Sequence, residues 1–286
     1  MPDSKYRVLK PSAAPPSLPV GIRKQAAPAA VKKESDVRRE EPAGKKADGG
    51  EKKDGESSVD VVRGSSDITL SPYGLQQALD VAKATKGDWT RIISSPLLRA
   101  EQTAQAVWDV NKEEIPWKET LEALAPWWLG CWEGQPTLSI LSKMNSLIKD
   151  HPDKTNPGRG PESVHDGCSF NEFKNRYLRY VLYLINDYDP RERILNVTHY
   201  RGVRLIQAWV KAGASDNMEV DVDIMTTKGD DLPCDLFMLD PKARMFKKVK
   251  RGNAPGIYFL RHGSTAYNLE NHGAPSPNVP EKDEAK

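Results

Sequence analysis

An arginine and a histidine stand side by side at Arg261-His262, inside "GIYFLRHGSTAYN", and a second histidine, His199, closes "RILNVTH". Arg99 follows a proline by three residues in "IISSPLLRAEQTA". A guanidinium offers a fixed fork of donors that matches phosphate oxygens in pairs. A neutral imidazole is one of the few side chains able to attack phosphorus near pH 7. Two arginines and two histidines gathered at one place therefore make a phosphate site that contains a nucleophile. Phosphoryl transfer asks a protein mainly for positioning and charge stabilisation, which such a cluster supplies.

The elements around these residues are of the kind that can gather them. "RIIS" (91–94), "RILNVTH" (193–199) and "GIYFL" (256–260) are short apolar runs that read as buried strands, and "CDLFMLD" and "FKKVK" read as two more. Helical spacing appears in "LSPYGLQQALDVAKAT", which places Leu75, Ala78, Leu79 and Ala82 on one face after a Ser71-Pro72 start. It recurs in "PLLRAEQTAQAVWDV", opened by Pro96, and in "GVRLIQAWVKA". In "FNEFKNRYLRYVLYLI", Phe170, Phe173, Tyr177, Val181 and Leu184 share a face. Strands alternating with helices predict a three-layer α/β/α sandwich with a mainly parallel sheet. In such sheets ligands bind at the carboxyl ends of strands, where Arg261, His262, Arg99 and His199 all fall.

Composition bounds the rest. Residues 1–58 are rich in Pro, Ala, Lys and Glu with few apolar residues, so they cannot bury enough surface to offset the entropy of ordering. We expect a disordered tail there, a folded domain over 59–270, and a second disordered tail over 271–286. The net charge of +2 is near balance, and the basic and acidic residues of the first segment are interleaved, which argues against a nucleic-acid arm. Cys131, Cys168 and Cys234 are odd in number and form no close pair, which suits a reducing compartment and inert thiols. No apolar run approaches the roughly 18 residues of a membrane span, so the expected location is cytoplasmic.

At these residues the sequence resembles the histidine phosphatase superfamily, in its phosphoglycerate-mutase-like branch. The blocks that carry the resemblance are "YFLRHGSTAYN", "RGSSDITLSPYGLQQA", "IISSPLLRAEQTAQAV" and "VTHYRGVR". "LGCWEGQP" is similar to the family's Gly-x-Trp-Glu-Gly turn, and "GCSFNEFKNRY" to its Gly-Glu-Ser-Phe helix start, with Cys168 in place of Glu. In the family the Arg-His-Gly strand comes first and leads into the "RG…D…L…G" segment, whereas here it comes after everything else. The resemblance therefore implies a circularly permuted chain, cut after Asn268, with the former ends joined through "KVKRGNAPG".

The roles the resemblance implies are His262 as nucleophile, with Arg261, Arg99 and His199 binding the phosphoryl group and Asn268 lending a weaker hydrogen bond. It implies no cofactor and no metal, and a phosphorylated small molecule or phosphoprotein as substrate. Two positions depart from the pattern. Pro126 in "LAPWWLG" stands where a general-acid Glu is usual, leaving Glu122, Glu162 and Asp166 as candidates, and Tyr200 stands where glycine usually follows the histidine. These departures keep open a phosphate-binding scaffold of the same fold without turnover. His151, His165 and His272 are expected to face solvent, Arg201 and Arg204 to lie on a helix surface, and the tryptophans of the "PWWLGCW" stretch to pack. The loop "HPDKTNPGRGPESVHDG" (151–167) is expected to border the site mouth, with both tails at its rim and the first of them a handle for a protein partner.

Overall fold

A computed structural model of the chain describes residues 61–115, 118–156 and 158–265. The expected tails, the domain end at 270, His272 and Asn268 lie outside the described residues. Among the described residues six strands form one sheet: β1 (Arg91–Ser94), β2 (Lys118–Thr120), β3 (Arg193–Thr198), β4 (Leu236–Leu239), β5 (Phe246–Val249) and β6 (Gly256–Arg261). Their order is β2-β1-β3-β6-β4-β5. The first four in that order run parallel, while β4 pairs antiparallel with both β6 and β5.

Strand β6 follows all the other strands along the chain, yet it lies inside the sheet, paired with β3 from Arg193↔Gly256 to Thr198↔Arg261. Its sequence explains the position, because a strand covered on both faces must be apolar on both. All six of its residues are buried. Ile257 and Phe259 join the core beneath α3 (Thr137–Lys149), α4 (Phe170–Asn186), α5 (Tyr200–Lys211) and α6 (Val222–Thr226). Tyr258 and Leu260 join the core beneath α1 (Pro72–Ala84) and α2 (Leu98–Asp109). The alternation is that of a strand, and it divides the molecule into the three expected layers. Burying Phe259 alone contributes roughly 2 kcal/mol.

The helices follow the sequence with one rotation. Ser71 caps α1 by accepting from Gly74 N at 3.0 Å, and Ser169 with Glu172 forms a reciprocal capping box at the start of α4. The buried face of α1 is Gly74, Ala78 and Ala82, whereas Leu75 and Leu79 remain 43% and 42% exposed, against the expectation that they turn inward. The reason lies in α2, which presents the fully buried Ala100 and Ala104. Small residues on both helices allow close approach, and a leucine at that seam would hold the helices apart. Among the described residues no helix is long and apolar enough to cross a membrane.

The turn after β6 is clamped between the two helices. Gly263 N donates to Thr103 Oγ1 at 3.1 Å and Ser264 N to Gln77 Oε1 at 2.9 Å, while Ser264 O accepts from Ser71 N at 2.9 Å. The backbones meet so closely that a Cβ on Gly263 would lie 2.5 Å from Gly74 O, and one on Gly74 would overlap Ser264 O. We therefore expect Gly74→Ala to lose about 1–3 kcal/mol through overpacking, more than the helix propensity gained from alanine. Urea denaturation measures this, and an unchanged midpoint would show that α1 does not press on the turn.

Candidate active site

Hydrogen bonds that continue the sheet ladder past the strand ends line up the polar residues. Leu121 N donates to Ser94 O and Ser95 N to Val197 O, both at 2.9 Å, and His262 N donates to Thr198 O at 3.0 Å. Ser95, His199 and His262 thus follow β1, β3 and β6, which are neighbours in the sheet. The rings of His199 and His262 are 5.1 Å apart and edge-on at 63°. Arg261 ends β6 itself, and Arg99 enters from the first turn of α2. All four expected site residues are buried and belong to one edge of the sheet.

Each side chain is held by groups of known polarity. His262 Nδ1 lies 2.7 Å from Gly263 O. A carbonyl can only accept, so Nδ1 carries the proton and Nε2 keeps its lone pair. Arg99 donates from Nη1 to Ser66 O at 2.7 Å and from Nη2 to Gly64 O at 2.9 Å. Arg261 donates from Nη1 to Asp231 O, and its guanidinium lies 5.1 Å from the ring centroid of Tyr200. Tyr200 in turn accepts from Gly229 N at 2.8 Å, so the residue that departs from the usual glycine braces Arg261 and the loop it binds. Two buried nitrogens, His199 Nδ1 and Arg261 Nε, have no hydrogen-bond partner among the described residues. Buried polar groups are normally satisfied, and these two are ones that a ligand at this sheet end could complete, although Arg176 and Arg204 carry buried nitrogens without hydrogen-bond partners as well.

Burial sets the charges. Both imidazoles are pushed well below their ordinary pKa, first by desolvation and then by the charge of Arg99, which keeps them neutral. Desolvation likewise lowers Arg99 and Arg261 to about 10, which still leaves both charged near neutrality. Arg63 adds a third positive charge, depressing Arg99, Arg261 and His262. The site is therefore cationic through its guanidiniums, while its two imidazoles are neutral.

The remaining expectations divide. Glu162 and Asp166 are exposed, whereas Glu122, in the turn directly after β2, is half-buried. Its Oε2 is buried with no partner among the described residues. Pro126 is buried, and its carbonyl accepts from Arg176 at 2.7 Å. The loop over 151–167 does reach the site wall, because Ser66 Oγ donates to Glu162 O at 2.6 Å and Val164 N donates to Ser65 Oγ at 3.2 Å. His151 is exposed, but His165 is half-buried and stacks on Trp128 at 4.3 Å, against the expectation of a solvent-facing ring. Arg201 and Arg204 are not helix-surface charges either, since they donate to Met225 O and Ile224 O, each at 2.6 Å. Trp127 is 1% exposed and packs on Phe170 and Phe173 as expected. Sequence reasoning passed over Ser95, whose Oγ lies 2.7 Å from His199 Nε2, and Glu133, whose carboxylate accepts from Ser65 and Leu129.

Residues 29–224 match the model of the histidine phosphatase superfamily (branch 1). None of the curated proteins matches the chain. Among solved structures, a phosphoserine phosphatase from Entamoeba histolytica in complex with 3-phosphoglyceric acid is similar at 24% identity, covering 59% of this chain and 77% of its own, with a TM-score of 0.42. A mycobacterial glucosyl-3-phosphoglycerate phosphatase with inorganic phosphate is similar at 18% identity over 68% of this chain and 91% of its own, with a TM-score of 0.46. The alpha-ribazole phosphatase of Shigella flexneri is similar at 19% identity over 52% and 70%, with a TM-score of 0.39.

The depressed histidines link stability to pH. In the unfolded chain each titrates near 6.5, while in the fold it stays neutral to lower pH, so below 6.5 the unfolded state binds more protons. Their contribution is complete above pH 6.5, declines as the pH falls below it, and levels off only beneath the folded-state value. We expect wild type to lose about 1 kcal/mol per histidine between pH 7.5 and 5.5 beyond what the double variant His199→Asn, His262→Asn loses. Parallel urea titrations of the two proteins would show it. Identical pH slopes would mean that the imidazoles are solvated.

Proposed function

This chain belongs to the histidine phosphatase superfamily (branch 1), and on that premise we propose that it hydrolyses a phosphomonoester through a phosphohistidine formed on His262. The observation that carries the reading is the His262 tautomer. With Nδ1–H committed to Gly263 O, the Nε2 lone pair remains for attack, beside His199 and in the field of three arginines. In the first step Nε2 forms a bond to phosphorus as the ester P–O bond breaks, and the leaving oxygen takes a proton. In the second, water attacks the phosphohistidine, the N–P bond breaks, and inorganic phosphate departs. Arg261, Arg99 and His199 hold the phosphoryl oxygens, where charge develops, and an outer hydrogen bond falls to Asn268.

The proton for the leaving group is assigned to Glu122. Its carboxyl follows β2, beside β1, and half-burial with an unpartnered oxygen distinguishes it from the exposed Glu162 and Asp166. A general acid matters only for a poor leaving group, so the test uses two substrates. With an aryl phosphate we expect wild-type turnover, loss of at least about 100-fold in His262→Ala, and near-normal rates in Glu122→Gln. With an alkyl phosphate Glu122→Gln falls by about 100-fold as well. Equal aryl turnover by wild type and His262→Ala would favour the second reading, a phosphate-binding scaffold, which Pro126 at the usual acid position supports.

We further infer that the chain is a circular permutant of the family order. The support is that β6 follows the other strands in sequence but occupies the sheet interior, and that Thr265, four residues past Arg261, bridges Leu70 near the start of the folded part. Chain ends and surface loops carry few buried contacts, so their exchange leaves the core intact. A reordered chain running from Asn253 to Asn268 and then directly from Val59 to Gly252 is expected to keep the unfolding free energy and the turnover. A reordered chain that does not fold would contradict the permutation.

A further inference from the structure

The structure assigns to Ser95 a positioning role: its hydroxyl fixes the tautomer of His199, so that His199 presents Nδ1–H to the substrate phosphoryl group. The contact is Ser95 Oγ to His199 Nε2 at 2.7 Å, with Ser95 wholly buried and His199 4% exposed. Either atom of such a pair can donate, and the surroundings decide. Leu97 N already donates to Ser95 Oγ at 3.4 Å, so the oxygen has taken one hydrogen bond and its own proton needs an acceptor. Among the described residues the acceptor within reach is the Nε2 lone pair. The hydroxyl therefore donates to Nε2, and the ring proton sits on Nδ1.

That places a buried N–H where nothing satisfies it, because His199 Nδ1 has no partner among the described residues. An unmade buried hydrogen bond is costly, and it is tolerated where a ligand completes it. The geometry fits a phosphoryl oxygen. The His262 ring lies 5.1 Å away, and its own Nδ1 is tied to Gly263 O, so its attacking nitrogen is the other one. Both histidines thus carry the proton on Nδ1, but two different neighbours leave different atoms free, Nε2 on His262 and Nδ1–H on His199. A backbone carbonyl makes one a nucleophile, and a serine hydroxyl makes the other a neutral donor. Ser95 touches no substrate in this account and acts only through His199. The purpose of the device rests on the phosphatase reading, but the tautomer itself does not.

The test separates the two. The chain has five histidines, so selective ¹⁵N-histidine labelling gives a simple spectrum, and His199→Gln identifies the His199 signals. Protonated and unprotonated imidazole nitrogens resonate far apart. In phosphate-free buffer near pH 7.5, wild type is expected to show His199 with Nδ1 protonated and Nε2 bare. Ser95→Ala should populate both tautomers, and Ser95→Thr, which keeps the hydroxyl, should restore the wild-type pattern. Inorganic phosphate, followed by its chemical-shift titration of the same signals, should bind about tenfold more weakly to Ser95→Ala than to wild type. A His199 that carries its proton on Nε2 in wild type overturns the proposal whether or not the protein turns over any ester. A His199 pattern unmoved by Ser95→Ala overturns it equally. A correct tautomer in a protein that hydrolyses nothing would leave Ser95 its role and remove the phosphatase reading instead.

Discussion

Positive charge is taken out of water at the carboxyl ends of β1, β3 and β6, and the rest of the site answers to that cost. Arg99 and Arg261 are 3% and 6% exposed. A buried cation without compensation is strongly destabilising. Among the described residues neither arginine donates a hydrogen bond to a carboxylate. The compensation comes from backbone carbonyls, those of Gly64 and Ser66 for Arg99 and that of Asp231 for Arg261. Carbonyls hold a guanidinium in place without neutralising it, so the charge stays available to an anion. Burial first, and the arginine field after it, keep both histidines unprotonated, and an unprotonated ring is the form that can attack.

Neighbouring side chains hold the backbone around these carbonyls in position. Glu133 is 1% exposed and accepts from Ser65 N, Ser65 Oγ and Leu129 N. Its bond from Ser65 N fixes the Gly64–Ser65 peptide, whose carbonyl accepts one of the two hydrogen bonds that Arg99 donates. On the other side Tyr200 joins the Arg261 guanidinium to the loop at Gly229, and Tyr177 meets Thr198 at 2.9 Å, just before His199. Gly202 makes room for that tyrosine, since a Cβ there would stand 2.6 Å from its hydroxyl. The loop over 162–165 closes the same wall by bonding to Ser65 and Ser66. Positioning in this site is therefore a property of backbone held by side chains, more than of side chains alone.

Much of this was legible in the residues, and the limits have physical causes. Strands β1, β3 and β6 stand out because they are covered on both faces and must be apolar throughout. β2 escapes notice because "KET" is a half-exposed edge with no apolar signal. The helix over Thr137–Lys149 carries Ile140, Met144, Leu147 and Ile148 at helical spacing, a pattern present in the sequence and overlooked. The rotation of α1 was not readable, because it depends on the alanines of α2 rather than on α1's own apolarity. The four charged and imidazole side chains could be named from their blocks. Ser95 could not, since a serine beside a proline looks like a helix start until its distance to His199 is known. The burial of Arg201, Arg204 and His165 is likewise set by partners far along the chain, which spacing does not reveal.

The central claim is that His262 becomes covalently phosphorylated during turnover. It is tested most directly by quenching the wild-type protein in base within milliseconds of mixing with an aryl phosphate and mapping the label by mass spectrometry. The account predicts an acid-labile, base-stable phosphate on His262, formed and consumed at rates compatible with turnover. Steady hydrolysis with no phosphate on His262, or with the label on another residue, would contradict it.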